Sequence, residues 1–338
     1  MGTVRGVMAP ELWEDVVRAA LGGGRRPVTV ARLRGGSKKG VYRLTLDDAS
    51  TVVVYRWAAA ENYWPGAADE PGPDAGDAGR QQHPLSPASG LDLFEAAHRR
   101  LAALGVRTPR LYLADGSRTL HRADLAVVED VPGENLEALL GRDPRAAEPV
   151  LARLADTLGL LREHRARYLG RTAPDGNGAA PEARSCERLV VDRALADLAE
   201  AAARDTRLHA AEDRLAALVQ AHGAAVGPRT EWGLVHGELG PDHVLVDRQG
   251  RPVLIDIEGL MHFDAEWEHA FLRIRFGEHY RWLAHDGLDE QRLALHTLAM
   301  RLSLVAGPLR LLDGDFPDRE AMRGIAEHNL REALALLR

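Results

Sequence analysis

Two acid-bearing stretches stand closest to chemistry in this chain. The first, LVHGELGPDHVLVD, sets His236, Glu238, Asp242 and His243 among apolar neighbours. The second, VLIDIEG, adds Asp256 and Glu258 inside an apolar run. Carboxylates are costly in such surroundings unless they are paired, hydrogen-bonded or holding a cation. Phosphoryl transfer uses a set of this kind: phosphates held in place, metal ions that neutralise charge, and a group that orients the nucleophile and takes its proton. A second chemistry is metal-assisted hydrolysis, for which His236, Glu238, His243, Asp256, Glu258 and His262 offer zinc ligands. The helical His-x-x-x-His spacing is absent, and phosphoryl transfer is the stronger expectation. A third stretch, RLRGGSKKGVYRL, supports it. Gly35, Gly36 and Gly40 leave room for backbone amides to approach phosphates, with Ser37, Lys38 and Lys39 between them.

These residues must be positioned by a sizeable fold. With 338 residues the chain can form two lobes, each able to bury a core. Apolar content of 45% and charged content of 28% are ordinary for a soluble globular protein. There is no apolar run long enough for a membrane span and no apolar signal core in MGTVRGVMAPELWEDVV, so a cytoplasmic location is expected. Cys186, the single cysteine, fits a reducing compartment and reads as an unreactive thiol. The net charge of −7 argues against nucleic acid as a partner. Between Glu231 and Glu290 stand 13 acidic and 5 basic side chains, a field that attracts a metal ion or an amine-bearing molecule. Of 43 basic residues only Lys38 and Lys39 are lysines, both in the glycine-bearing turn.

A short helix over residues 10–22 precedes three β-type runs, VTVARLRGG, VYRLTLDD and TVVVYRW, which form an antiparallel meander. Residues 58–90, rich in Ala, Gly, Pro, Asp and Ser, read as a flexible insertion. A helix in LDLFEAAHRRLAALG and the strands RLYLAD and LAVVEDVPG follow. Beyond Asn135 helices dominate, broken by RTAPDGNGAAPEA and by one hairpin, HVLVDRQGRPVLID. A small β-rich lobe, a connector and a larger helical lobe holding one charged hairpin make the layout of a kinase.

His236, Gly237, Glu238, His243 and Asp256 resemble the signature of the aminoglycoside phosphotransferase and choline kinase superfamily, where HGDxxxxN precedes a strand ending in Ile-Asp. The resemblance runs from about Val28 to the helices after residue 264, and its specific part is residues 234–268. It implies an α+β, bilobal protein-kinase-like fold: a small antiparallel β-sheet N-lobe over residues 1–130 and a larger, mainly helical C-lobe over 131–338. It also implies that Glu238 is the catalytic base and that His243 and Asp256 are ligands of Mg²⁺ or Mn²⁺. Two residues depart from the pattern, since Asp is usual at position 238 and Asn at 243. Asp242 is placed to supply the missing oxygen. His236 is expected to fix the loop through hydrogen bonds.

The strand lysine that would meet nucleotide phosphates is replaced by Arg56, with Glu95 as its anchoring partner. Alternatively Lys38 or Lys39 takes that role from the glycine loop. Main-chain groups of Glu129 and Val131 would meet the base of ATP or GTP. The acceptor would lie near Asp264, Glu266, Trp267 and Glu268, with Tyr280 and Trp282 close by. The expected activity is ATP-dependent transfer of the γ-phosphoryl group to a hydroxyl of a small molecule, such as an aminoglycoside or another amine-rich antibiotic. A nucleotide-binding pseudokinase with a regulatory or scaffolding task is the alternative, because residues 56, 238 and 243 depart together. The expected protein acts as a monomer or homodimer, without membrane or nucleic-acid partners.

Overall fold

The computed structural model describes residues 8–34, 36–64, 84–86, 88–172 and 185–338. Gly35, most of the insertion expected over 58–90 and nearly all of RTAPDGNGAAPEA lie outside these residues.

The first helix, α1 (Glu14–Leu21), leads into strands β1 (Pro27–Arg32), β2 (Gly40–Leu46) and β3 (Thr51–Trp57). After α2 (Leu91–Ala103), strands β4 (Leu111–Asp115) and β5 (Asp124–Glu129) complete an antiparallel five-stranded sheet in the order β1-β2-β3-β5-β4. Successive side chains on a strand face opposite ways. Val52 and Val54 of β3 therefore join Tyr42, Leu44, Trp13 and Val16 on the α1 side. Val53, Tyr55 and Trp57 face the other way and pack with Phe94 and Leu101 of α2. That second cluster continues through Leu136, Leu140, Leu151 and Leu161 to Leu239, Val244 and Ile257, so one buried core runs from sheet to helices.

Two side-chain caps start the helical part, Asn135 for α3 (Leu136–Arg142) and Asp143 for α4 (Pro144–Glu163). A three-stranded sheet of β6 (Gly170–Arg171), β10 (Met261–Phe263) and β7 (Gly233–Val235), in that order, is too short to have shown in the sequence pattern. Helices α5 (Cys186–Ala202), α6 (Thr206–His209) and α7 (Glu212–Ala225) lie between β6 and β7 in sequence. The expected hairpin is β8 (Val244–Val246) with β9 (Pro252–Leu254). The chain ends in α8 (Ala265–Phe276), α9 (Glu290–Asp313) and α10 (Arg319–Ala335), which share a second core with α5 and α7. Among the described residues no helix is long and apolar enough to cross a membrane.

Candidate active site

The turn between β7 and β8 carries Glu238 and is held from beneath. Glu268 of α8 accepts the amides of Gly237 (2.8 Å) and Leu239 (3.3 Å), and the Trp267 indole donates to the Gly237 carbonyl (3.3 Å). Gly237 has φ +96°, and a Cβ there would sit 3.0 Å from the Gly259 carbonyl, so a side chain would be strained and would crowd that carbonyl. His236 is fully buried and donates from Nε2 to the Ile255 carbonyl (3.0 Å), tying the turn to the segment before Asp256. Burial pushes its pKa down, which keeps the ring neutral. His236 thus has the loop-fixing place expected of it. Glu238, by contrast, projects outward with a 56% exposed side chain, and Lys38 lies 3.9 Å away.

His243 and Asp256 come together as the sequence implied. The His243 Nδ1–H donates to the Glu238 carbonyl (2.8 Å). A carbonyl only accepts, so in the neutral ring this bond fixes the tautomer and leaves the Nε2 lone pair available. Nε2 faces Asp242 at 3.7 Å and Asp256 at 3.8 Å. Burial disfavours the imidazolium, but Asp256 and Asp242 outweigh it and hold the His243 pKa above its ordinary value. Asp256 has φ +58° and ψ +45°, a left-handed backbone rarely adopted by a non-glycine residue. That conformation turns its carboxylate into the cleft at the end of β9.

The lysine of the site is Lys39. Its side chain is 7% exposed; Nζ donates to Asp256 (2.7 Å) and to Glu258, over the Tyr55 ring at 5.0 Å. Burial disfavours the ammonium, yet Asp256 and Glu258 more than offset it and raise its pKa. Burial likewise opposes ionisation of Asp256, and Lys39 and His243 hold that carboxyl well below the usual range. Gly36, at φ +78°, makes the turn that delivers Lys39: a Cβ there would lie 2.6 Å from the Lys39 carbonyl.

Arg56, expected to meet phosphates, does not reach this group. It shares the α1-facing parity of Val52 and Val54 and pairs with Glu61 (2.7 Å), which also takes Arg32 (2.7 Å) and the Tyr42 hydroxyl (2.6 Å). The expected Arg56–Glu95 pair is therefore replaced by Arg56–Glu61. Glu95 has no hydrogen-bond or ion-pair partner among the described residues.

A larger correction concerns the acids after the hairpin. Asp264 is fully buried and is taken by Arg229 (3.0 Å), His296 (3.1 Å) and Arg292. Burial opposes its ionisation, but these partners, His296 first, hold its carboxyl far below the usual range. Glu266, 2% exposed, is bound by Arg229 (2.7 and 3.0 Å) and the Asp289 amide (3.0 Å). Glu268, 3% exposed, holds the β7–β8 turn. The carboxylates of Asp264, Glu266 and Glu268 are thus committed to the interior and not offered to an acceptor. Trp267 lines the cavity while its indole nitrogen holds the turn. Tyr280 bonds His269 (3.0 Å), and Trp282 lies at the surface.

At the far end of β5, the Glu129 carboxylate holds Arg107 (2.7 and 2.8 Å) and its amide donates to the Arg110 carbonyl (2.8 Å). Val131 is buried, and its amide has no hydrogen-bond partner among the described residues. The six candidate zinc ligands do not converge: His236 holds a carbonyl, Glu258 holds Lys39, and His262 packs against Tyr168 at 4.7 Å between ring centroids. Cys186 is buried beside Asp264, and burial raises its pKa, as suits an inert thiol.

A cavity of about 390 Å³ opens from this cluster. Gly36, Lys38, Glu238 and Asp256 line it together with residues of α9 and α10. Several of its residues were not anticipated. Glu258 was weighed in the sequence only as a zinc ligand; its place as the second partner of Lys39 was not anticipated. Trp64, whose indole donates to the Ser37 hydroxyl (2.9 Å), and Leu85 come from the insertion, where no periodicity marked them.

The comparisons with known proteins bear on the fold and the family. Solved structures with the same fold include an aminoglycoside phosphotransferase APH(4)-Ia mutant in ternary complex with ADP and hygromycin B (TM-score 0.59, 17% identity, 94% of this chain and 97% of that one). Others are the choline kinase LicA from Streptococcus pneumoniae (0.60, 13%, 96% and 98%) and a putative fructosamine-3-kinase from Thermobifida fusca (0.54, 19%, 97% and 100%). No curated protein matches the sequence. The profile of the Phosphotransferase enzyme family matches residues 29–315, and the chain belongs to that family.

Proposed function

We propose that the protein transfers the γ-phosphoryl group of ATP, or GTP, to a hydroxyl of a small molecule. The observation that carries this reading is the convergence of Lys39, Asp256, His243 and Glu238 on one cavity, from three separate segments of the chain. The acceptor hydroxyl sits against Glu238. Its oxygen bonds to the γ-phosphorus as the bond to the ADP oxygen breaks, and the hydroxyl proton passes to Glu238. Lys39 and Lys38 meet the phosphates beside the backbone of Gly36, Ser37 and Gly40, and the unpartnered Val131 amide is offered to the base. Gly35, in the same turn, belongs to this expectation without a described position.

The donors fit a divalent cation. The Nε2 of His243 presents a lone pair toward oxygens of Asp256 and Asp242, and one carboxylate oxygen of buried Glu258 has no hydrogen-bond partner. Asp256, His243 and Asp242 would hold the ion, and the imidazole makes Mn²⁺ as well suited as Mg²⁺. Bound there, it would neutralise charge on the phosphates. The test is nucleotide consumption and product mass over a panel of antibiotics, sugars and amino alcohols, with Asp256→Ala as control. Turnover that survives this substitution would defeat the assignment.

A further inference from the structure

The acceptor end of the cavity has a chemistry unlike that expected from the acid-rich sequence around it. Met300, Leu304, Pro308 and Leu311 of α9 and its C-terminal end line it, with Phe316 and Ile325 beyond them. Ile325 is 37% exposed, one of few large apolar side chains left open to solvent. Among the described residues, the only carboxylates lining the cavity are Glu238, Asp242, Asp256 and Glu258. Each already faces a cation: Lys38 at 3.9 Å from Glu238, Arg275 at 2.8 Å from Asp242, and Lys39 beside Asp256 and Glu258. Two more cations, Arg171 and Arg193, line the cavity and donate to the carbonyls of Pro84, Leu85 and Ser86.

We infer that the acceptor is a largely apolar, hydroxyl-bearing molecule and not a polyamine. A bound ammonium group needs a carboxylate to replace its water, and among the described residues every carboxylate that lines the cavity already faces a cation. Apolar surface buried there gains about 25 cal/mol per Å² without any such partner. The acid excess that favoured a cationic acceptor is spent on Arg229, Arg292, His296 and the backbone of the catalytic turn.

This inference rests on the phosphotransferase reading, and its test separates the two. ADP release by the full chain with Mg²⁺ or Mn²⁺ is measured against a macrolactone alcohol, a hydroxysteroid, hygromycin B and a second polyamino sugar. Nucleotide binding is followed in parallel. The expected result is turnover of an apolar alcohol with little response to the polyamines. Leu304→Asp should raise the KM for that alcohol about tenfold or more with the KM for ATP unchanged. Leu304→Met, which conserves volume, should keep the KM within a few-fold. Turnover of the polyamines alone would overturn the acceptor class and leave the phosphotransferase reading standing. Turnover of neither, with nucleotide bound, would overturn both.

Discussion

Two groups of acids lie between residues 238 and 268, and they meet opposite fates. Glu238, Asp242 and Asp256 keep side chains 56%, 33% and 38% exposed, facing cations or an imidazole across gaps of up to 3.9 Å. Asp264, Glu266 and Glu268 are at most 3% exposed, and arginines, a histidine and backbone amides occupy them. The difference is one of availability. A carboxylate at a cleft can exchange its lysine or histidine for a metal or a proton. A carboxylate enclosed by fixed donors is part of the scaffold, however polar its segment looks.

Breaking one partner from each group sharpens this contrast most. Arg292→Met removes a cation from fully buried Asp264 and should cost about 3–5 kcal/mol of stability, read as the midpoint of denaturant unfolding. Arg275→Met removes the cation from half-open Asp242 and should cost at most about 1 kcal/mol. Equal losses would erase the distinction. Next, Glu238→Gln should lower kcat by about 10²–10⁴ with an unchanged unfolding midpoint, whereas Glu268→Gln should shift both. The two basic candidates give a parallel pair: Lys39→Met should reduce transfer by roughly a hundredfold. Arg56→Met should leave kcat intact and cost about 1–3 kcal/mol through the Glu61 network. A kcat loss in Arg56→Met would return that residue to the phosphate site.

The last effect concerns pH. Burial first, then His164 and Arg100, push the His262 pKa down from 6.5 to about 4. The unfolded chain therefore binds the extra proton first. Stability from neutral His262 is complete above pH 6.5 and declines as pH falls toward 4. His262→Phe should flatten that slope by about 1.4 kcal/mol per pH unit, visible in unfolding midpoints between pH 6.5 and 4.5. An unaltered slope would show that the ring is protonated without penalty.

Much of the frame was legible in the sequence because it rests on local periodicity: the meander of β1–β3, the β8–β9 hairpin, and the helices on either side. The pairing of His243 with Asp256 was implied by the family resemblance, and the hairpin reading added that Glu238 and Asp256 return to one edge. What escaped depended on contacts distant in sequence or on strand parity. Nothing local to TVVVYRW says which face meets the cleft, so Arg56 and the Lys38–Lys39 turn were equal candidates. The role of Glu61 was hidden in a stretch without periodicity. The burial of Asp264 is set by Arg229, Arg292 and His296, which lie some thirty residues away.

The buried cluster that runs from Val53, Tyr55 and Phe94 into Leu151, Val244 and Ile257 bears on how the whole chain melts. Separate domains meet through a modest polar interface and can unfold one after the other. Here the inner face of the sheet and the floor of the catalytic hairpin belong to the same apolar interior, so loss of one strips the other. Heat or denaturant should therefore produce a single cooperative transition, and the catalytic cluster should vanish with the last of the sheet, not before it.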